Sequence, residues 1–420
     1  MARTTLPAHD VADLALAGAG AERIAWAAGQ MPVLARIGRR FDAERPLDGV
    51  HVACCLHVTA ETANLVRVLR AGGATVALCS ANPLSVQNEV AASLVAHDAV
   101  EVRARRGESL DDYVAHVLAL LSGVQDGPNI TLDDGADLLV TAHARGGSTL
   151  DALIGATEET TTGLVRIRAL QEEGNLRCPV LAVNEARTER ALNDRHGTGQ
   201  SALDGIVRAS NVLLAGNTVV VVGYGWAGLG IAERARGAGA AVIVCEVDPL
   251  RALEARMAGY EVMPALAAAE RGDVFITVTG ARAVLRGEHF ERMKDGALLA
   301  NAGHFDVELD LDALAGLATG GVRPVRPLVD EYVLGDGRRL NLLVRGRVVN
   351  LAAAEGHPAA VMDVSFALQA LSVEELVRRR GELAPGVHAV PAALDREVGR
   401  LKLAALGVTI DEPPAGPSAR

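Results

Sequence analysis

The sequence predicts an α/β protein: two doubly wound domains plus a small helical C-terminal extension. Three observations predict it. Half of the 420 residues are apolar while only 3% are aromatic, a composition that suits parallel sheets covered by helices better than an all-β sandwich. Short β-prone runs alternate with stretches of helical apolar spacing along most of the chain. That alternation breaks at a polar stretch, 184–201, and restarts at Thr218, as expected of a chain too long for one hydrophobic core.

Residues 21–41 carry apolar positions at helical spacing and read as one surface helix. Residues 50–56 form a β-prone run, 57–62 a polar loop, 63–71 a helix and 75–79 a second strand, together a βαβ unit. A helix at 90–97, a strand at 100–102, a helix at 110–122, the acidic turn Asp133-Asp134-Gly135 and a strand at 138–141 follow. A Thr-rich turn, 157–163, opens a helix at 164–172, and a strand at 179–183 comes after it. The second half supplies strands from Thr218 and at 242–247, 274–278 and 298–301. Beyond Asn350 the chain reads as helical at 353–376 and 394–406, and the Pro-rich end, 411–420, has the composition of a flexible tail.

A formal net charge of −11 argues against nucleic acid, whose phosphates call for a clustered excess of Lys and Arg. Cys54, Cys55, Cys79, Cys178 and Cys245 are odd in number and lack paired metal-ligand spacing, so no metal is expected and the thiols read as buried and reduced. The first ten residues show no leader pattern and no segment is long enough to span a bilayer. The expectation is a soluble, cytoplasmic protein with no membrane partner.

The most specific local motif is Val219-Val220-Val221-Val222-Gly223-Tyr224-Gly225-Trp226-Ala227-Gly228. A buried strand enters a helix through Gly-x-Gly-x-x-Gly. Gly223 makes the tight turn, Gly225 lets the backbone approach a pyrophosphate and Gly228 lets the helix pack on the strand. Glu246 stands at the end of the next strand, where an acid accepts both ribose hydroxyls and repels a 2′-phosphate, which favours NAD over NADP. The second domain therefore reads as Rossmann-like, with Gly223, Gly225, Trp226, Ala227, Gly228 and Glu246 around the cofactor. Asp248 reads as a strand-end turn residue.

The segments Leu56-His57-Val58-Thr59-Ala60-Glu61-Thr62, Leu132-Asp133-Asp134-Gly135-Ala136-Asp137, Glu158-Glu159-Thr160-Thr161-Thr162-Gly163, Asn301-Ala302-Gly303-His304-Phe305 and Val349-Asn350-Leu351 through Gly356-His357-Pro358 resemble those of S-adenosylhomocysteine hydrolase. The likeness runs in order over nearly the whole chain. It implies two Rossmann-like domains: a substrate domain at 1–185 with a return segment at 353–376, and an NAD domain at 186–352. Residues 377–420 would form an oligomerisation extension with a flexible tail.

The resemblance implies a redox-neutral cycle on an adenine nucleoside. Oxidation of the 3′-hydroxyl acidifies the C4′ proton, the 5′ substituent leaves, water adds and the alcohol is restored. By the same resemblance His57 and Asp134 handle protons at C5′, Glu159 binds the ribose hydroxyls, and His304 lines the cleft. Thr59 and Glu61 contact the adenine edge with His357, while Asn184 and Met362 complete the substrate site. Thr160, Thr161, Thr162, Asn301, Gly303 and Asn350 hold the nicotinamide side. The residue chemistry agrees, since an imidazole and a carboxylate exchange protons near neutral pH. Taken singly, His57 is an ordinary strand-end histidine and Asp133-Asp134-Gly135 an ordinary turn. The Thr run equally suits a helix N-cap.

One stretch departs from the family pattern. With Asn184 aligned on the Asn that opens the family's motif, Glu189 stands where the family has a Lys and Asn193 where it has an Asp. A Lys ammonium donates three hydrogen bonds, whereas an ionised carboxylate only accepts. Three accounts of Glu189 are open: it acts as the base toward the 3′-hydroxyl, Arg187 or Arg190 supplies the missing cation, or the site only binds. The expected activities are accordingly a nucleoside dehydratase, ordinary hydrolysis of S-adenosylhomocysteine or a base-modified analogue, or a silent partner protein that binds NAD and nucleoside. A homo-oligomer, tetramer or dimer, is expected, although 409–420 lacks the Lys and Tyr that the family's tail often lends to a neighbour.

Overall fold

The computed structural model describes residues 6–123, 127–303 and 306–411. The first half provides β1 (His9–Val11), β2 (His51–Leu56), β3 (Thr75–Ser80), β4 (Glu101–Ala104), β5 (Ile130–Asp133), β6 (Gly155–Glu158) and β7 (Pro179–Ala182). The second provides β8 (Thr218–Val222), β9 (Ala241–Cys245), β10 (Glu261–Val262), β11 (Val274–Thr277), β12 (Ala297–Asn301), β13 (Gly321–Arg326), β14 (Val329–Val333) and β15 (Arg339–Leu343). A last strand, β16 (Gly386–Ala389), comes near the C-terminus. Among the described residues these form two eight-stranded sheets, β1-β4-β3-β2-β5-β6-β7-β16 and β10-β9-β8-β11-β12-β15-β14-β13. The α/β class and the two doubly wound domains expected from sequence are what the chain forms.

All pairings in the first sheet are parallel, and its strands β2, β5, β6 and β7 are buried, as expected of a parallel sheet covered by helices on both faces. Strand order reverses between β2 and β5 in the first sheet and between β8 and β11 in the second. In open α/β sheets the crevice beyond the carboxyl ends of such strands is where ligands bind. An antiparallel meander, β13 to β15, closes the second sheet. Among the described residues no helix is long and apolar enough to cross a membrane, and the five cysteines are unpaired and buried.

Three local expectations are corrected. The helix expected over 21–41 is two, Ala17–Ala28 and Pro32–Glu44, because Pro32 has no N–H to continue the first and is accepted at the start of the second. Both bury an apolar face (Ile24, Ala27; Val33, Leu34, Ile37, Phe41) and leave the opposite face exposed, as amphipathic surface helices do. The strand expected at 138–141 is the helix Asp137–Arg145, and the strand is β5 instead. The buried Asp133 carboxylate accepts from Leu138 N at 2.8 Å and Leu139 N at 3.1 Å, capping a helix where the side chains alone favour β structure.

The third correction concerns 377–420. β16 pairs with β7, His388 opposite Leu181, so this segment completes the first sheet rather than forming a separate extension. The helix Ala392–Ala405 then packs on Ala359–Arg378 and Pro32–Glu44. Buried Asp363 joins all three, accepting from Leu34 N at 2.8 Å and from Lys402 Nζ at 2.8 Å. The tail expected to be flexible lies, from 412 onward, outside the described residues.

Candidate active site

The switch point of the first sheet carries a histidine on one strand end and a carboxylate on the other. His57 follows β2 and Asp134 follows β5, and His57 Nε2 stands 3.3 Å from Asp134 Oδ2. His57 Nδ1 lies 2.6 Å from Ser85 Oγ, whose hydroxyl donates to Asn82 O at 2.8 Å. With that hydroxyl committed, Nδ1–H donates to Ser85 and proton exchange falls to Nε2. The turn separates the adjacent acids: Asp133 points inward to cap a helix, while Asp134 points toward His57. Gly135 at φ +119° and Ala136 at φ +65° make this reversal, and the second is a left-handed conformation that costs a non-glycine residue.

Beyond Asp134 lies a group of buried carboxyls. Glu159, just past β6, accepts from Ser365 Oγ and Gln369 Nε2 of the helix Ala359–Arg378. Burial pushes it up to about 7, with Asp134 and Asp194 adding repulsion. Glu189 Oε2 accepts from Asn193 Nδ2 at 2.7 Å, while Glu189 Oε1 and Asn193 Oδ1 have no hydrogen-bond partner among the described residues. Burial, and then the charge of Glu159, raise Glu189 well above the usual carboxylate range. Asp194 is pushed up to about 7 by burial, with Arg190 drawing it back.

These side chains sit on a run with i→i+5 backbone bonds, Glu189–Thr198, a π-helical geometry that is rare and concentrates at functional sites. Asp395 of the C-terminal helix steadies its start, accepting from Arg187 N at 2.9 Å and Thr188 N at 3.2 Å. Its far end rests on the second domain: Arg195 Nε donates to Glu233 at 2.9 Å and Arg234 Nη2 lies 3.2 Å from His196 Nδ1. A side chain on Gly230 would collide with the Arg195 carbonyl.

His357 Nε2 is 3.1 Å from Thr198 Oγ1. Burial and then the neighbouring His57 push it down to about 4, so it is a neutral donor and acceptor at physiological pH. Thr59 caps the helix Ala60–Ala71, and Glu61 in its first turn is raised by burial and held by Thr59. Asn184 Oδ1 accepts from Thr161 Oγ1 at 2.8 Å. Met362 packs, partly buried, against the core of the first domain. The cleft thus unites His57, Asp134, Glu159, Glu189, Asn193 and His357; His304 lies outside the described residues.

The second crevice fits a dinucleotide. Gly223 sits at φ +104°, and a side chain there would meet Val278 O at 2.7 Å; one on Gly228 would strike the Gly223 carbonyl. One on Gly225 would meet only the Arg251 guanidinium, at 3.1 Å, so this glycine leaves a cradle open at the N-terminus of the helix Trp226–Gly237, where backbone N–H groups and the helix dipole favour a phosphate. Trp226 is half-exposed beside it and Ala227 lies in the first turn. Glu246 is held by Tyr224 N at 2.7 Å and Val247 N at 2.7 Å.

The residues expected to hold the nicotinamide divide. Asn301 is occupied in structure, accepting from Gly303 N at 2.8 Å and donating to Gly346 O at 3.0 Å. Asn350 donates to Ser201 Oγ at 3.2 Å, and among the described residues its buried Oδ1 has no hydrogen-bond partner. Thr160 bonds Glu158 at 2.7 Å and caps the helix Thr161–Glu172; the Thr162 side chain makes no bond among the described residues. Ser85, Asp194, Ser365, Gln369 and Asp395 were not singled out from sequence. Ser365 and Gln369 left a signal, polar residues four apart in an apolar helix; Asp395, on a surface-like helix, left none.

The model for the S-adenosyl-L-homocysteine hydrolase family matches residues 8–150 and the model for that family's NAD binding domain matches 194–356. The adenosylhomocysteinase of Thermosynechococcus vestitus is 54% identical over 403 residues, 96% of this chain and 93% of that protein. The chain belongs to the S-adenosyl-L-homocysteine hydrolase family. The S-inosyl-L-homocysteine hydrolase of Methanopyrus kandleri is 52% identical over 96% of this chain and 94% of its own length. A crystal structure of a dipicolinate synthase chain from Bacillus halodurans superposes at TM-score 0.50 with 13% identity, over 79% of this chain and 99% of that one, a likeness of fold alone. As in the rest of the S-adenosyl-L-homocysteine hydrolase family, the cofactor is NAD, and the open cradle at Gly225 and the orphan acceptor of Asn350 suit it.

Proposed function

We propose that the protein cleaves the C5′ substituent of an adenine nucleoside through a transient 3′-ketone, and that its substrate is a nucleoside thioether of the S-adenosylhomocysteine type. The relatives named adenosylhomocysteinase, at 54% identity, favour the thioether. The observation that carries the chemistry is the His57–Asp134 pair at the sheet's switch point, facing a buried Glu159. NAD, when bound, supplies a hydride acceptor and later returns the hydride. Glu159 holds the ribose hydroxyls, His57 and Asp134 pass the proton to and from the group at C5′, and neutral His357 with Thr59 and Glu61 holds the base. Incubation of the holoprotein with S-adenosylhomocysteine and a thiol reagent tests this: release of homocysteine supports it, and no release overturns the thioether assignment.

A second reading rests on the sequence resemblance, which aligns Glu189 and Asn193, a buried hydrogen-bonded pair, where the family has Lys and Asp. With both groups changed, elimination without re-addition becomes the expected chemistry: loss of water from a 5′-hydroxyl to give a 4′,5′-unsaturated nucleoside. Mass analysis of adenosine after incubation would show loss of one water; unchanged adenosine would remove this reading.

A further inference from the structure

Glu159 and Glu189 are both buried, and among the described residues no Lys or Arg forms an ion pair with either. They differ in what surrounds them. Glu159 accepts on both oxygens, from Ser365 and Gln369, and donors aimed at a carboxyl favour its ionised form. Among the described residues Glu189 accepts one hydrogen bond, on Oε2 from Asn193, and its buried Oε1 has no partner. The Ser365 hydroxyl faces Glu189 as well, so the two carboxyls are neighbours across one residue. Two like charges so placed do not both ionise, and the proton settles on the less solvated member.

We propose that Glu189 stands in the site as a neutral carboxylic acid, donating a hydrogen bond from its free oxygen to a sugar oxygen of the ligand, with Glu159 beside it as the ionised acceptor. This rests on the reading of the cleft as a nucleoside site. The arrangement gives a donor and an acceptor for neighbouring oxygens of one sugar and suits either a hydroxyl or a ketone at the donor's side. The same assignment accounts for the loss of a cation: a neutral acid supplies the hydrogen bond that an ammonium otherwise gives. The other groups facing the pair are Asp194 with Arg190 on the same run, Asp134 with His57 across the cleft, and His357. Asp194 opposes ionisation of both carboxyls and Asp134 that of Glu159, and Arg190 draws Asp194 back toward ionisation.

Infrared difference spectra of the holoprotein with labelled Glu carboxyls test the proton directly. At pH 7 the expected result is a protonated Glu band that persists in Asp194→Asn and in Glu158→Gln, whose own carboxyl burial also raises, and disappears in Glu189→Gln. Absence of the band in wild type, or its persistence in Glu189→Gln, overturns the proposal. Binding supplies the second arm, with adenosine as the probe. Glu189→Gln keeps a neutral donor of the same shape and is expected to bind within about 5-fold of wild type at pH 7, while Glu189→Ala weakens binding by ~10–100-fold, the range for a lost hydrogen bond. Wild-type affinity should fall as pH rises and Glu189 gives up its proton, and Glu189→Gln affinity should not. Loss in Glu189→Gln equal to that in Glu189→Ala contradicts a donor role. Failure of wild type to bind adenosine at all sinks the nucleoside reading and with it the sugar contact, while the infrared band still decides whether Glu189 is neutral.

Discussion

His57 Nε2 and Asp134 Oδ2 stand 3.3 Å apart across the strand switch of the first sheet, each on the residue that follows a buried parallel strand. Rigid strands hold the two groups in register while the loops leave them open to the cleft. Ser85 fixes the far ring nitrogen, so the imidazole exchanges protons at one nitrogen only.

The pair makes the first prediction. His57→Ala and Asp134→Asn should lower the rate of product formation by ~10²–10⁴-fold, the usual worth of a positioned acid or base. Reduction of bound NAD by adenosine should survive within about 10-fold, because oxidation at the 3′ carbon does not use this pair. Stopped-flow absorbance of NADH against product assay separates the two steps.

The glycine fingerprint makes the second. Gly225→Ala meets only the flexible end of Arg251, so the fold should keep its Tm within about 2 °C while NAD affinity falls by ~10-fold or more, since the added methyl fills the phosphate cradle. Gly228→Ala drives a methyl into the Gly223 carbonyl and should lower both affinity and apo-protein Tm. Calorimetric titration and thermal unfolding of the apo-protein distinguish the two variants.

Asp194 gives a pH prediction. Burial raises it to about 7 in the fold, against roughly 4 in an unfolded chain. The folded state therefore holds the proton over the window between these values, and stability from this group is greatest below the lower value and lost as pH rises through the upper. Asp194→Asn should stabilise the protein, and by roughly 2–3 kcal/mol more at pH 8 than at pH 5. Urea unfolding at the two pH values checks it. His357, lowered to about 4, has the opposite sign: its contribution is present above roughly pH 6.5 and lost as pH falls.

Asp395 lies on the C-terminal helix yet fixes the backbone of Arg187 and Thr188, just ahead of Glu189. Asp395→Ala should cost about 1–2 kcal/mol through the released N–H groups and lower kcat by ~10-fold with little change in KM. Asp395→Asn, which keeps one acceptor, should restore most of both. Steady-state kinetics with unfolding curves for the two variants checks this.

Much of the architecture could be read from the chain because buried parallel strands are continuous apolar runs, and the Val219–Val222 run before Gly223 marks its strand without ambiguity. Local pattern failed where a distant group decides. Leu138-Leu139-Val140 reads as β structure, but Asp133 caps it as a helix; β16 is too short to announce that it pairs with β7, two hundred residues away in sequence. In the site, His57, Asp134, Glu159 and Glu189 were visible as chemistry-bearing residues in family order. Ser365, Gln369 and Asp395 were not, because their roles arise only when the C-terminal helices return to the first sheet.

The central claim is that a temporary ketone on the sugar makes the C4′ hydrogen exchangeable. Adenosine and S-adenosylhomocysteine incubated with the holoprotein in D₂O and examined by NMR test it most directly. The predicted result is deuterium at C4′ without net accumulation of NADH, and its disappearance in Glu159→Gln; a C4′ position that stays fully protonated in both compounds, while they are bound or turned over, would contradict it.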